Sequence, residues 1–554
     1  MKTKNNKLSY AMAILFTGLS FSGIAQESKE TIQPLSKKAT KGYVYNVAKD
    51  GAGNSTITYK IAAAKKNEAN LFEEYTFDKD LKFTGSKDVQ EKKEQHENRI
   101  ITKYGATVGG GGFDAMSMKL KLYKDVISQT WSSEQKRYVT EKYISSEVVK
   151  AKNEENKVYI AYASYSSSDE QKSDVFNIVK IDSKDKNSPD KFYTLLFNST
   201  LELKVSPIDL KGSYSVIFCD QLPIKNEAGN VISEDVVVVF APKAGSPDAS
   251  KYVYLQYDIM GNLKNKAEFK SPASALLITA AYKKGEDVYF CGSSEKTTDP
   301  YEKVYSEYAS IINFAFPSEG RNGYDFKWLK SSAKEMDNFH LLKFTGNQMV
   351  FTSTTPVGDF KSKFKTAPND KGANAYKGKK FLIQNFNVTP SGDYLIAGQL
   401  TGTAKMGSTV TVKTYEDIIC LHFDKAGNLK AQYGIGKMNN DKKSEIFDMP
   451  QNFYLSSDGK KLFWEILEVK GVKGYASFMD ANTGSATFYP LYFPRIGTID
   501  LENSSISAFK VLGDEKYFLR KDFTSMFDEK EKSITYIGHD DDFKTLWIGK
   551  IIIK

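Results

Sequence analysis

Ser391-Gly392-Asp393-Tyr394-Leu395-Ile396 sets a polar turn directly before a run of aromatic and β-branched residues. Gly and Asp suit tight turns, and the residues that follow suit a pleated, half-buried strand. The pattern returns as Lys211-Gly212-Ser213-Tyr214, Gly285-Glu286-Asp287-Val288 and Gly346-Asn347-Gln348-Met349. Further copies are Glu155-Asn156-Lys157-Val158, Asp458-Gly459-Lys460-Lys461-Leu462 and Asp514-Glu515-Lys516-Tyr517. The first apolar residue of each copy falls at 158, 214, 288, 349, 394, 462 and 517, on average about sixty residues apart.

A second element accompanies the first. Tyr257-Asp258-Ile259-Met260-Gly261-Asn262-Leu263-Lys264 matches Phe423-Asp424-Lys425-Ala426-Gly427-Asn428-Leu429-Lys430, with looser copies beginning at Phe77 and Phe478. Gly and Asn tolerate the positive φ that hairpin turns require. One unit reads through as strands Phe381–Asn387, Tyr394–Gly398, Asp417–Phe423 and Leu429–Tyr433. Four antiparallel strands per unit, repeated around a ring, is the β-propeller plan. Sheets buried on both faces also explain apolar strands without alternation.

The expected fold class is therefore all-β, a propeller of four-stranded antiparallel blades over residues 151–554. Seven blades fit the spacing, with eight as the next count; a pair of β-sandwiches is the alternative. Residues 27–150 are expected to supply an additional blade or ring-closing strands, with Lys87 to Arg99 a flexible, charged segment.

The Gly-Asp-Tyr-Leu-Ile-Ala-Gly run at 392–398 and the eight residues from Phe423 to Lys430 resemble segments of secreted bacterial β-propeller repeat proteins. The resemblance covers roughly residues 150–554. It implies the fold and is nearly silent on function. The Trp-Asp dipeptide of WD repeats is absent, and the single tetraglycine at 109–112 does not support a kelch array.

Composition limits the chemistry. The chain has 554 residues, 26% charged, with a mean hydropathy of −0.45, which excludes a polytopic membrane protein and a collagen-like chain. Aromatic residues make up 13%, in keeping with strands, whereas only four His and three Cys are available for catalysis or metal binding. Lys2, Lys4 and Lys7 precede an apolar stretch from Ala11 to Ala25, so residues 1–26 read as a secretory signal peptide. Cleavage there would lower the net charge from +9 to +6. No later segment reaches about 18 uninterrupted apolar residues, so no transmembrane segment is expected after cleavage. Cys219, Cys291 and Cys420 each end an apolar strand and are expected to be buried, unpaired thiols.

Motifs for nucleotides, nucleophiles and metals are incomplete. Gly402 to Thr409 has the glycine spacing of a phosphate loop, but Ser408 stands where the lysine is needed, so a hairpin connection is expected. Gly434-Ile435-Gly436 lacks the third glycine of a dinucleotide fingerprint. His539 with Asp540, Asp541 and Asp542 could offer ligands, but neighbours on a strand point to opposite faces, which favours a solvated turn. His422 reads as a strand histidine. No cofactor, catalytic residue or metal site is expected.

The segment Lys361 to Lys380 stands out. Lys361, Lys363, Lys365, Lys371, Lys377, Lys379 and Lys380 face one acid, Asp370, in a stretch too long for a blade connection. With Phe360, Phe364 and Tyr376 it is expected to protrude and bind an acidic partner. The expected function is an exported, non-catalytic interaction module of the bacterial cell envelope that binds a protein or glycan. An accessory role in an outer-membrane export or uptake complex is compatible with this, and nucleic acid is not expected as a partner. A secreted propeller hydrolase or lyase acting on glycans is the alternative. The ending Leu546 to Lys554 is similar to the last strand of type IX secretion sorting domains, but a last propeller strand explains it equally well. The periplasm is accordingly expected ahead of the cell surface.

Overall fold

The computed structural model describes residues 28–61, 69–92, 98–109, 119–135, 137–147, 159–166, 175–181, 191–197, 203–225, 231–305, 335–368, 370, 372–406, 410–439, 444–475, 487–519 and 525–553. The expected signal peptide, the turn copies at Glu155 and Phe478, Lys371 and the loop 407–409 lie outside them.

Small antiparallel sheets follow one another along the chain. The first blade comprises Tyr43–Lys49, Ser55–Ile61, Ala69–Phe77 and Phe83–Lys92; the second, Tyr159–Ser166, Val175–Ile181, Lys191–Phe197 and Leu203–Ile208. Tyr214–Lys225, Val231–Pro242, Lys251–Asp258 and Leu263–Lys270 form the third. The fourth has Leu276–Lys284, Asp287–Ser294, Asn338–Thr345 and Gln348–Pro356. The fifth has Phe381–Val388, Tyr394–Met406, Val410–Phe423 and Leu429–Ile435, with Phe364–Thr366 added in parallel to its outer strand. Arg99–Gly109, Lys119–Ser132 and Arg137–Glu147 form a three-stranded sheet.

Two relations make this a propeller arrangement. The first strands of consecutive sheets lie side by side, from Tyr159–Ser166 through Tyr214–Lys225, Leu276–Lys284 and Phe381–Val388 to Gln451–Leu455. The faces of consecutive sheets also pack on each other. Separate apolar cores join blades two and three, three and four, and four and five. The run Val236-Val237-Val238-Val239-Phe240-Ala241 is wholly buried because both its faces meet a neighbour.

The blade count corrects the expectation: among the described residues there are five blades, not seven or eight. Val288 and Met349, taken as markers of two units, lie on the second and fourth strands of one blade. Tyr214 opens a first strand, whereas Tyr394 opens a second. The turn-strand pattern marks hairpins in general and not one place per blade. In addition, the described strands from Gln451–Leu455 to Thr545–Ile552 join the N-terminal strand Ser28–Pro34 in a single ten-stranded sheet. Ser28–Pro34 pairs along its length with the C-terminal Thr545–Ile552, and this sheet packs on both the fifth and the first blade. Lys87 to Lys92 continues the outer strand of the first blade and is not the start of a flexible segment.

The Asp-turn element builds as its residues suggest. Asp258 Oδ1 accepts the amides of Met260 and Asn262, both at 2.9 Å, while Gly261 takes φ 75°. Asp424, with Ala426, Asn428 and Gly427 at φ 78°, repeats this. The degenerate copy at Asp78 keeps the same bonds but places Leu81 at φ 65°. Leu81 is buried, and the packing of its side chain offsets the local backbone strain.

Candidate interaction surface

The basic segment is a strap packed over the edge of the fifth blade. Val357–Ser362 is a short helix whose Phe360 is fully buried. The Phe360 ring meets Tyr376 edge-on at 5.4 Å between centroids and also touches Phe339 and Phe423. Phe364–Thr366 then pairs with Gln432, Tyr433 and Gly434, covering a strand edge that would otherwise be open. The two glycines of Gly434-Ile435-Gly436 now have a reason. A Cβ on Gly434 would lie 2.5 Å from the Phe364 ring, and one on Gly436 would lie 2.8 Å from Asp370 Oδ1. They make room for the strap.

Asp370 anchors the strap's middle. Its Oδ1 accepts the Gly436 amide at 2.7 Å, and its Oδ2 meets Arg495 Nη2 at 3.3 Å. Arg495 is buried and also donates to Glu468 at 2.7 Å. Burial pushes the Glu468 carboxyl pKa up, against the pull of Arg495.

Among the strap lysines, Lys361, Lys363, Lys365, Lys377 and Lys380 are exposed, and Lys379 is partly covered beside Glu335 at 2.8 Å. Lys365 reaches the Ser504 carbonyl of the next sheet. Phe364 is partly buried and Tyr376 is buried, exposing 5% of its surface. The strap thus lies down where protrusion was expected: its buried aromatics hold it, and its lysines are what it presents.

Beside the strap's end, a cleft of about 30 Å³ opens between the first strands of blades four and five. Leu277, Thr279, Phe381 and Ile383 line it, together with Tyr376, Lys379 and Lys380. A volume this small holds a carboxylate or a methyl-sized tip, not a cofactor.

The sequence reading missed a recurring polar node. Asp287 opens its blade's second strand, Asp393 stands immediately before one, and Asp235 lies inside one, opposite Asp258, which starts a hairpin turn. Asp235 accepts from Gln256 at 2.6 Å and Lys264 at 3.0 Å and also pairs with Lys283. Asp287 accepts from Thr345 at 2.6 Å and pairs with Lys343 at 2.7 Å. Asp393 meets His422 Nε2 at 2.9 Å and Lys430 at 3.0 Å. Lys264 and Lys430 are the closing lysines of the two matched Asp-turn motifs. For Asp393 the available signal was an acid just before the second strand, paired with that lysine.

These groups are structural. His422 is fully buried, and desolvation lowers its pKa against the opposing pull of Asp393. Neutral His422 donates from Nε2 to Asp393 and accepts at Nδ1 from the Tyr433 hydroxyl, 3.1 Å away. Glu465, its pKa raised by burial, is held by Asn452, Tyr454 and Tyr536 and is wholly enclosed. A substrate cannot reach either side chain. His539 lies against Tyr59, and Asp540 Oδ1 accepts the Lys544 and Thr545 amides of the following turn. Among the described residues, no group of three or more His, Cys, Asp or Glu is placed to hold a metal ion.

No protein-family model and no curated protein matches the chain. Among solved structures it is similar to a lignostilbene dioxygenase of Pseudomonas brassicacearum, at 9% identity and a TM-score of 0.31, over 82% of this chain and 89% of that one. It is also similar to a GH93 α-L-arabinofuranosidase of Fusarium graminearum, at 9% identity and a TM-score of 0.22, over 72% and 97% of the two chains. The WD40 domain of SCAP from fission yeast aligns at 7% identity and a TM-score of 0.21, over 95% and 98%. Overlaps this loose transfer no activity, substrate or residue role.

Proposed function

We propose that this chain is an exported, non-catalytic β-propeller that binds a protein or glycan partner in the bacterial cell envelope. Its place would be the periplasm, as an accessory subunit of an outer-membrane export or uptake machine. The strap carries this reading. Buried Phe360 and Tyr376 fix it, and the Asp370–Arg495 pair ties it down, so Lys361, Lys363 and Lys377 are presented from a rigid base. Rigid presentation lowers the ordering cost of binding, and several lysines on one segment favour an acidic partner. Among the described residues no helix is long and apolar enough to cross a membrane.

A pull-down from envelope extract tests the proposal. A triple variant, Lys361→Glu, Lys363→Glu and Lys377→Glu, should keep the wild-type melting temperature, because exposed substitutions change stability by less than about 0.5 kcal/mol. It should lose the acidic partners that the wild type captures at low salt. Equal recovery of the same partners overturns the strap's role. Release of sugars from envelope polysaccharide by the purified protein would instead establish the glycan hydrolase or lyase reading. Fractionation of cells expressing the tagged protein checks the compartment.

A further inference from the structure

We infer that the cleft between blades four and five is the docking point for a carboxylate side chain of an acidic peptide, received by Lys380 and Lys379. The inference rests on the reading of the strap as a partner-binding segment and names where on that surface the partner engages.

Three independent features point to it. The first is backbone strain at the lysine itself. Lys380 takes φ 57°, a left-handed conformation that suits Gly or Asn far better than a long side chain. Its carbonyl is held in that geometry by the Thr401 amide at 2.8 Å. A lysine kept where glycine would relieve strain suggests that its amine is needed at that point. The second is the placement of the glycine two residues earlier. Gly378 takes φ 77°, and a Cβ there would stand 2.2 Å from the Met336 carbonyl oxygen. Met336 N donates to Gly378 O at 2.9 Å, so the chain is clamped just before the two lysines. The third is the cleft, about 30 Å³ in volume, whose lining mixes Leu277, Phe381 and Ile383 with Thr279, Ser293 and both lysines.

Charge selects the occupant. The acid paired with Lys379 is Glu335, its side chain 64% exposed and 2.8 Å from Lys379 Nζ. This exposed pair is weakly held, so an incoming carboxylate can exchange with Glu335 at little cost. The apolar side chains among the lining, Leu277, Phe381 and Ile383, strengthen the resulting ion pair by lowering the local dielectric. A uronic-acid glycan carries the same charge, but sugars are gripped by exposed aromatic faces. The nearby rings of Phe339, Tyr376 and Phe381 are each at most 6% exposed and offer no such platform.

The test uses the mature full chain and fluorescein-labelled hexaglutamate, read by fluorescence anisotropy at low and high salt. The wild type should bind, with affinity falling at least tenfold between 50 and 500 mM salt, on the order expected for screened charges. Lys380→Gly should weaken binding at least fivefold while leaving the melting temperature unchanged or raised, because glycine relieves the left-handed strain. Ile383→Phe, which fills the cleft without altering charge, should weaken binding similarly. Glu335→Gln should tighten it. Unlabelled polygalacturonate should compete poorly; competition as strong as that of unlabelled hexaglutamate overturns the peptide assignment. Wild-type affinity in Lys380→Gly, or no binding of hexaglutamate by the wild type, overturns the inference. Should the triple variant lose its envelope partners while Lys380→Gly keeps them, the strap reading stands and the cleft alone fails.

Discussion

His340 is 1% exposed, with Nε2 2.8 Å from the Ser294 hydroxyl and Nδ1 3.0 Å from that of Thr354. Burial lowers its pKa to about 4, against about 6.5 in an unfolded chain. The unfolded state therefore binds more protons between those values, and stability must rise with pH across that window. Its contribution is fully present above about pH 6.5 and is lost as pH falls towards 4. The loss amounts to at most about 3.5 kcal/mol at roughly 1.4 kcal/mol per unit. His340→Gln, which keeps hydrogen-bonding capacity but does not titrate, should flatten the stability curve between pH 4 and 6.5 in urea melts. An unchanged acid slope would show that other groups control it. His422, also lowered by burial, acts in the same direction and remains in that variant.

Ser28–Pro34 is a seven-residue strand whose removal would leave Thr545–Ile552 as an open edge. Side chains reinforce the pairing. Trp547 Nε1 donates to Glu30 at 3.0 Å, and Lys29 pairs with Asp80 of the first blade at 2.7 Å. The exposed Lys29 pair adds little, whereas the strand ladder and the fully buried Trp547 matter more. Deletion through Pro34 should lower the melting temperature by at least about 5 °C and shift the protein to larger species on gel filtration, since bare edges template association. A monomer with the wild-type melting temperature would show that this strand does not hold the last sheet together.

Cys219, Cys291 and Cys420 follow similar apolar runs, yet they occupy a first, a second and a third strand. Each lies in a different core: between blades two and three, between four and five, and between the fifth blade and the ten-stranded sheet. All three are buried thiols whose pKa burial pushes up. Because every core is shared by two sheets, a thiol becomes reachable only when neighbouring sheets separate. N-ethylmaleimide should leave the native protein unmodified and add three equivalents after denaturation, as read by mass spectrometry. Partial labelling of one cysteine before the others would instead show that the sheets open one at a time.

Local chemistry made much of this legible. The four strands from Phe381 to Ile435, the Asp-turn at Asp424 and the buried strand cysteines can be read from residue order, because turn geometry and strand burial act over a few neighbours. The number of blades could not be read this way. Any hairpin carries the same turn-strand signature, so Val288 and Met349 looked like two units while sharing one sheet. The strap shows the same division. Seven lysines in twenty residues were plain in the sequence, but whether the segment protrudes or lies flat depended on long-range partners. Phe360 finds a cavity built from Phe339 and Phe423, and Asp370 finds Arg495, 125 residues away. Glycines at 434 and 436 leave the space. Short-range preferences wrote the strands and turns; the meeting of distant side chains, which no local pattern encodes, decided how the sheets are grouped and which lysines face outward.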